Sequence, residues 1–107
     1  MSFVAINVLT VPEPMRDVLE ERFANRAGEV ERMDGFEYFE LLRPVTGQDS
    51  YLVYTRWQSE DAFRAWVNSP AFNQGHAQAS ADGPAASGSQ IWTFQVVQHK
   101  AGAGSDA

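Results

Sequence analysis

The chain has 107 residues, 44% of them apolar, a formal net charge of −6 and no cysteine. That composition excludes disorder and fits one domain burying roughly 65% of its unfolded surface, while the acidic balance without basic runs argues against nucleic acid or a membrane surface as partner. The lack of thiols removes disulfides, zinc–thiolate sites, iron–sulfur clusters and cysteine nucleophiles together, and with no legible signal peptide or membrane span the expected compartment is the cytoplasm.

The first apolar run, Phe3-Val-Ala-Ile-Asn7-Val-Leu-Thr-Val11, reads as a strand. With a period of two, Asn7 shares a face with Phe3, Ala5, Leu9 and Val11, while Val4, Ile6, Val8 and Thr10 line the other. Pro12-Glu-Pro14 stops the strand and opens a helix. Its apolar stripe is Met15, Val18, Leu19, Phe23, Ala27 and Val30, and it is expected to end near Asp34-Gly35. Residues 36–43 and 50–58 read as a hairpin around Pro44-Val-Thr-Gly-Gln-Asp49. Ser59 caps a second helix with Glu60 and Asp61 at its positive end, and Ser69-Pro70 restarts helical structure after a break. Residues 79–88 are loop-like and 89–99 form a last strand. Residues 101–107 have the composition of a frayed tail, which leaves 1–100 as the single domain.

The order β-α-β-β-α-β is the ferredoxin-like α+β arrangement, a four-stranded antiparallel sheet with helices on one side. Its bare face should be polar, yet both rows of several strands are apolar: Tyr51, Val53 and Trp57 against Leu52 and Tyr54, and Trp92, Phe94 and Val96 against Ile91 and Val97. The expected cover is a second copy of the chain, giving a homodimer through the sheet.

Three residues invite a chemical reading. His76 is one of only two histidines, and a neutral imidazole is the best iron ligand that a cysteine-free chain offers, although a lone histidine is more often an ordinary solvated or core side chain. Asn7 places a carboxamide on an otherwise apolar row. Burying it without a partner costs about 1–3 kcal/mol, so it is either bonded within the fold or kept for a ligand. Trp66, in Phe63-Arg-Ala-Trp66, is equally readable as a core residue on its helix's apolar face. No paired-carboxylate site, phosphate loop, nucleophile elbow or HExxH motif is present. His99, at the ragged end of the last strand, should be exposed.

Asn7 on the first strand, Trp66 in a Phe-x-x-Trp helix and His76 beyond it resemble the Asn/Trp/His constellation of the IsdG-type heme-degrading monooxygenases, within the antibiotic biosynthesis monooxygenase superfamily. The resemblance spans nearly the whole chain. It includes Glu20-Glu-Arg-Phe-Ala-Asn-Arg26, Gly35-Phe36, Phe39-Glu-Leu-Leu-Arg-Pro44 and Tyr51-Leu-Val-Tyr-Thr-Arg-Trp57, and it is greatest toward the mycobacterial branch of that family. Two features depart from the pattern: Gly75 loosens any helix before His76, and no acceptor for the second ring nitrogen is identifiable.

The resemblance implies a dimeric α+β barrel that binds heme as both substrate and oxygen-activating cofactor and opens it with O2 and electrons from an external reductase or reductant, releasing iron. His76 would be the proximal iron ligand. Asn7 would donate toward the open side of the iron, and Trp66 would press on the macrocycle. Phe63 and Phe23 would wall the pocket, and Arg26, favoured over Arg22, would pair with a propionate through two donors, although arginines among Glu20, Glu21 and Glu29 also suit a solvated, salt-bridged face. Two other readings stay open: a cofactor-free oxygenase of polycyclic phenols, and a heme- or small-ligand-binding dimer without turnover.

Overall fold

Alternation along the first strand places two different surfaces on opposite sides of one backbone. The computed structural model describes residues 2–25, 30–70, 72 and 88–102. The elements are β1 (Phe3–Thr10), α1 (Arg16–Ala24), β2 (Phe36–Leu42), β3 (Ser50–Trp57), α2 (Glu60–Val67) and β4 (Gly88–Gln95). The strands form one antiparallel sheet in the order β2-β3-β1-β4, the ferredoxin-like arrangement expected from the element order. β1 is central, paired with β3 from Phe3↔Trp57 to Thr10↔Ser50 and with β4 from Phe3↔Gln95 to Thr10↔Gly88.

The row carrying Asn7 faces the helices. Leu9 and Val11 pack with Leu19 of α1 and Tyr51 of β3, and Met15, Val18, Phe23, Leu41 and Val53 close around them. At the other end of the same face Phe63 of α2 lies 5.6 Å from Phe3 and 6.0 Å from Trp57, ring centre to ring centre. Trp57 is fully buried. Its indole N–H donates to Thr55 Oγ1 at 3.0 Å, so the one polar atom of the largest core side chain is satisfied. A bulge between Phe36 and Tyr38 sets Phe36 opposite Trp57 and Phe39 opposite Thr55, so two aromatics three residues apart both reach the helix side.

The first helix differs from the sequence expectation. In place of one helix to Gly35, the described residues contain a 3-10 turn at Glu13–Met15, the nine-residue α1, and a second 3-10 turn at Val30–Arg32. Asn25 ends α1. Its N–H still bonds Glu21 O at 3.1 Å, and its backbone (φ −95°, ψ 0°) sits at the edge of the right-handed region as the C-cap of the helix. Ala27 lies outside the described residues.

The second helix begins as read: Ser59 Oγ accepts the N–H of Ala62 at 3.3 Å. It is held to the sheet at Gly35, whose φ is +82° and whose missing Cβ would lie 2.6 Å from Ala62 Cβ. Both the left-handed backbone and the close approach require glycine there. Gly35 O also accepts the N–H of Gln58 at 2.7 Å, fixing the start of β2 beside the end of β3.

β4 is shorter than expected, ending at Gln95 and not near His99. Val96 N–H bonds Ser2 O at 2.8 Å, one position beyond the Phe3↔Gln95 pair that ends the ladder. Val96 and Val97 therefore lie past the strand. Trp92 and Phe94 on one edge strand face away from the helices, 43% and 50% exposed, and on the same face Tyr38 and Leu42 of the opposite edge strand, β2, are also exposed. The bare face is thus as apolar as the patterning implied. At its β2–β3 end Tyr38 and Tyr54 stack at 5.6 Å, and burial followed by the neighbouring Tyr38 hydroxyl pushes the Tyr54 phenol up to about 12. No helix among the described residues is long and apolar enough to cross a membrane.

Candidate functional site

The two helices cover opposite ends of one sheet face, and Asn7 stands between them. α1 rests on the Leu9–Tyr51 end and α2 on the Phe3–Trp57 end. Asn7 is half-buried, not fully buried as its apolar row suggested, and so is Val53, its partner across β1–β3. The Asn7 carboxamide takes no hydrogen-bond partner among the described residues. The strand or loop contact that would make it an ordinary structural asparagine is therefore absent from that set. Two donors and an acceptor remain for something entering the gap.

The other expected site residues fall as follows. Phe23, on the last turn of α1, stacks on Phe39 of β2 at 6.1 Å at the margin of the α1-side core. Phe63 packs between α2 and the sheet against Phe3 and Trp57. Trp66, one turn further along α2, is half-buried and meets Phe72 edge-on at 5.6 Å. Ser69 fastens that turn: its hydroxyl donates to Trp66 O at 2.6 Å and accepts the N–H of Phe72 at 3.2 Å. Helical structure restarts at Ser69-Pro70 as the sequence suggested, with Ser69 in addition accepting the Phe72 N–H in the manner of a cap. Arg26 and His76 lie outside the described residues. Arg22 is half-buried, and His99 is exposed with Nδ1 3.4 Å from an Arg56 guanidinium nitrogen. No cluster of three histidine or carboxylate side chains suited to a bare metal ion occurs among the described residues.

Sequence reading missed the anchor of the α1 wall. Glu20, one turn before Phe23, is not simply a solvated residue: Arg43, just past β2, donates to both of its carboxylate oxygens, one contact at 2.9 Å, and the hydroxyl of the buried Tyr51 donates to the same carboxylate. The Arg43 and Tyr51 hydrogen bonds hold the Glu20 carboxyl at about 2, well below its ordinary 4.5, against an opposing effect of burial. Burial and the adjacent carboxylate push the Tyr51 hydroxyl up. A carboxyl depressed on folding stabilises the fold fully above its unfolded value, and that contribution is lost as pH falls through the folded one. Thermal midpoints should therefore fall between about pH 4.5 and 2 more steeply for the wild type than for Glu20→Gln, whose midpoint should already be lower at neutral pH. Parallel pH–melting curves for the two proteins would rule out the anchor.

An antiparallel ferredoxin-like sheet with two helices on one face, and between their contacts a half-buried carboxamide without a hydrogen-bond partner among the described residues, defines a ferredoxin-like α+β protein. The chain belongs to the antibiotic biosynthesis monooxygenase family, whose description matches residues 2–78. It is 45% identical over 107 residues, the full length of both chains, to a mycobilin-producing heme oxygenase of Mycobacterium tuberculosis. The fold matches the structure of MhuD, a heme-degrader from that organism with two hemes bound in its active site, at a TM-score of 0.82 and 44% identity, covering 92% of this chain and 99% of that one. It also resembles SnoaB, a cofactor-independent oxygenase from Streptomyces nogalater, with a TM-score of 0.72 and 26% identity over 92% of this chain and 95% of that one.

Proposed function

We propose that this protein is a heme-degrading monooxygenase. The observation that carries the reading is the half-buried Asn7 carboxamide, without a hydrogen-bond partner among the described residues, on the sheet face that Phe23 and Phe63 pack against. A porphyrin is flat, apolar over its faces and charged only at its propionates, so this face suits its body. Bound heme supplies the iron that activates O2 and the macrocycle that is opened, with electrons from an external donor.

The residues then divide the work. His76 would hold the iron through one ring nitrogen. Arg26 takes a propionate through paired N–H donors. Phe23, Phe63 and Trp66 exclude water from the pocket and restrict how the macrocycle lies. Asn7, on the sheet side, would offer N–H donors to a bound ligand on which negative charge develops during oxygenation. Full-length identity of 45% to a heme oxygenase supports this division more strongly than the 26% likeness to a cofactor-independent oxygenase supports a phenol oxygenase.

Hemin titration of the purified protein, followed by ascorbate and O2, tests the reading. A Soret shift on binding, then loss of the band with release of chelatable iron, is the expected result. Binding without loss would leave a heme-binding protein without turnover, and absence of axial binding would favour the phenol oxygenase.

The bare sheet face supports a homodimer through that face, since Trp92 and Phe94 at one edge and Tyr38 and Leu42 at the other leave large apolar side chains exposed on it. Sedimentation at micromolar concentration should give a dimer, and Trp92→Glu should shift it toward monomer; a wild-type monomer would remove the assembly. The reading places the activity in residues 1–100 as one domain, in the cytoplasm.

A further inference from the structure

The neighbour of Asn7 across the β1–β4 ladder breaks the pattern of its own row. Ile91 is the direct partner of Asn7. Opposed residues of an antiparallel pair project to the same face with Cβ atoms about 4.5–5.5 Å apart, so Ile91 rises beside the carboxamide on the helix side of the sheet. The rest of that row of β4 is polar: Ser89 opposite Leu9, Thr93 opposite Ala5 and Gln95 opposite Phe3. A polar row suits an edge strand, and one branched apolar side chain within it does not. Ile91 is nevertheless 59% exposed.

The two flanks of Asn7 therefore differ. Val53 on one side packs against the core around Leu9 and Tyr51, and cannot move without disturbing it. Ile91 on the other side is exposed, next to a carboxamide that has no hydrogen-bond partner among the described residues. An apolar side chain exposed beside unused donors is the composition of a pocket wall, where apolar contact places a ligand and a few polar groups orient it.

Resting on the heme-pocket reading, we propose that Ile91 is a specificity-determining residue: it walls the ligand space beside Asn7 and sets which edge of the macrocycle lies against the carboxamide. The branched side chain blocks one in-plane placement of the porphyrin, so its size controls the ratio of ring-opened isomers. Asn7 supplies the polar interaction and Ile91 the choice of edge.

The test uses the full chain with Ile91→Ala, Ile91→Phe and, as a control past the strand, Val97→Ala. Hemin affinity is read by Soret titration, and ring-opened isomers are separated after reaction with ascorbate and O2. Ile91→Ala should bind hemin within about threefold of wild type and change the isomer ratio by about tenfold, the scale on which a small change in an apolar pocket discriminates. Ile91→Phe should weaken hemin binding by about tenfold through overpacking. Val97→Ala should change neither. Wild-type affinity and isomer ratio in both Ile91 variants would overturn the assignment. If the wild type binds hemin but leaves it intact, the functional reading fails alone, and the assignment is decided by affinity: weakened binding in Ile91→Phe supports it and unchanged binding sinks it. If the wild type does not bind hemin, both fall.

Discussion

An Asn7→Ala variant should bind hemin near wild-type affinity and lose heme under ascorbate and O2 about 10²–10³-fold more slowly. Affinity for a flat apolar ligand comes mainly from the iron–imidazole bond and the pocket walls, which the substitution leaves in place. The carboxamide's donors act on charge that develops only as oxygenation proceeds, so their loss falls on the rate and not on resting binding. A half-buried asparagine with no hydrogen-bond partner among the described residues also has little stability to surrender. If Asn7 were structural, the variant would instead be destabilised by about 1–3 kcal/mol with unchanged turnover of the folded fraction. Thermal midpoint, hemin affinity and single-turnover heme loss on one preparation separate the two outcomes.

His76→Ala should weaken hemin binding by at least about tenfold and displace the Soret maximum, with the melting curve unchanged. Loss even of a group that merely supports a metal ligand typically costs 10–100-fold in affinity, so loss of the ligand should not cost less. His99→Ala is the control. That ring is exposed, its Nδ1 3.4 Å from an Arg56 nitrogen beyond the end of β4, away from the helix-covered face. Equal behaviour of the two variants would remove His76 as the ligand.

The faces of the sheet were legible in the sequence because strand periodicity is rigid. Once Phe3, Ala5, Leu9 and Val11 are seen to alternate with Val4, Ile6 and Val8, the row that carries Asn7 follows, and the structure puts that row under both helices. The Ser59 cap was readable for the same reason, since it depends on residues three apart. The end of α1 was less so: Ala24-Asn25-Arg26-Ala27 contains good helix formers, and whether one asparagine stops such a run depends on packing that the run does not encode. The Glu20 anchor was not legible at all. It joins residues 23 and 31 positions apart, and in the sequence Glu20 looks like its neighbour Glu21. Phe39 reaches the helix side through a bulge, which no simple alternation predicts. Ile91 needed the β1–β4 register before its place beside Asn7 had any meaning.

The central position of β1 bears on what aiming a donor costs. Asn7 sits mid-strand with a ladder on each side, so its backbone is fixed from both flanks and cannot swing as a loop residue would. Orienting the carboxamide toward a ligand then immobilises two side-chain torsions and no main-chain ones. Ordering a single backbone position costs about 1–2 kcal/mol in lost entropy. Folding has already met that cost before any ligand arrives, so a donor held by the middle strand of a sheet can keep its aim through the reaction with almost none of the binding energy diverted to hold it there.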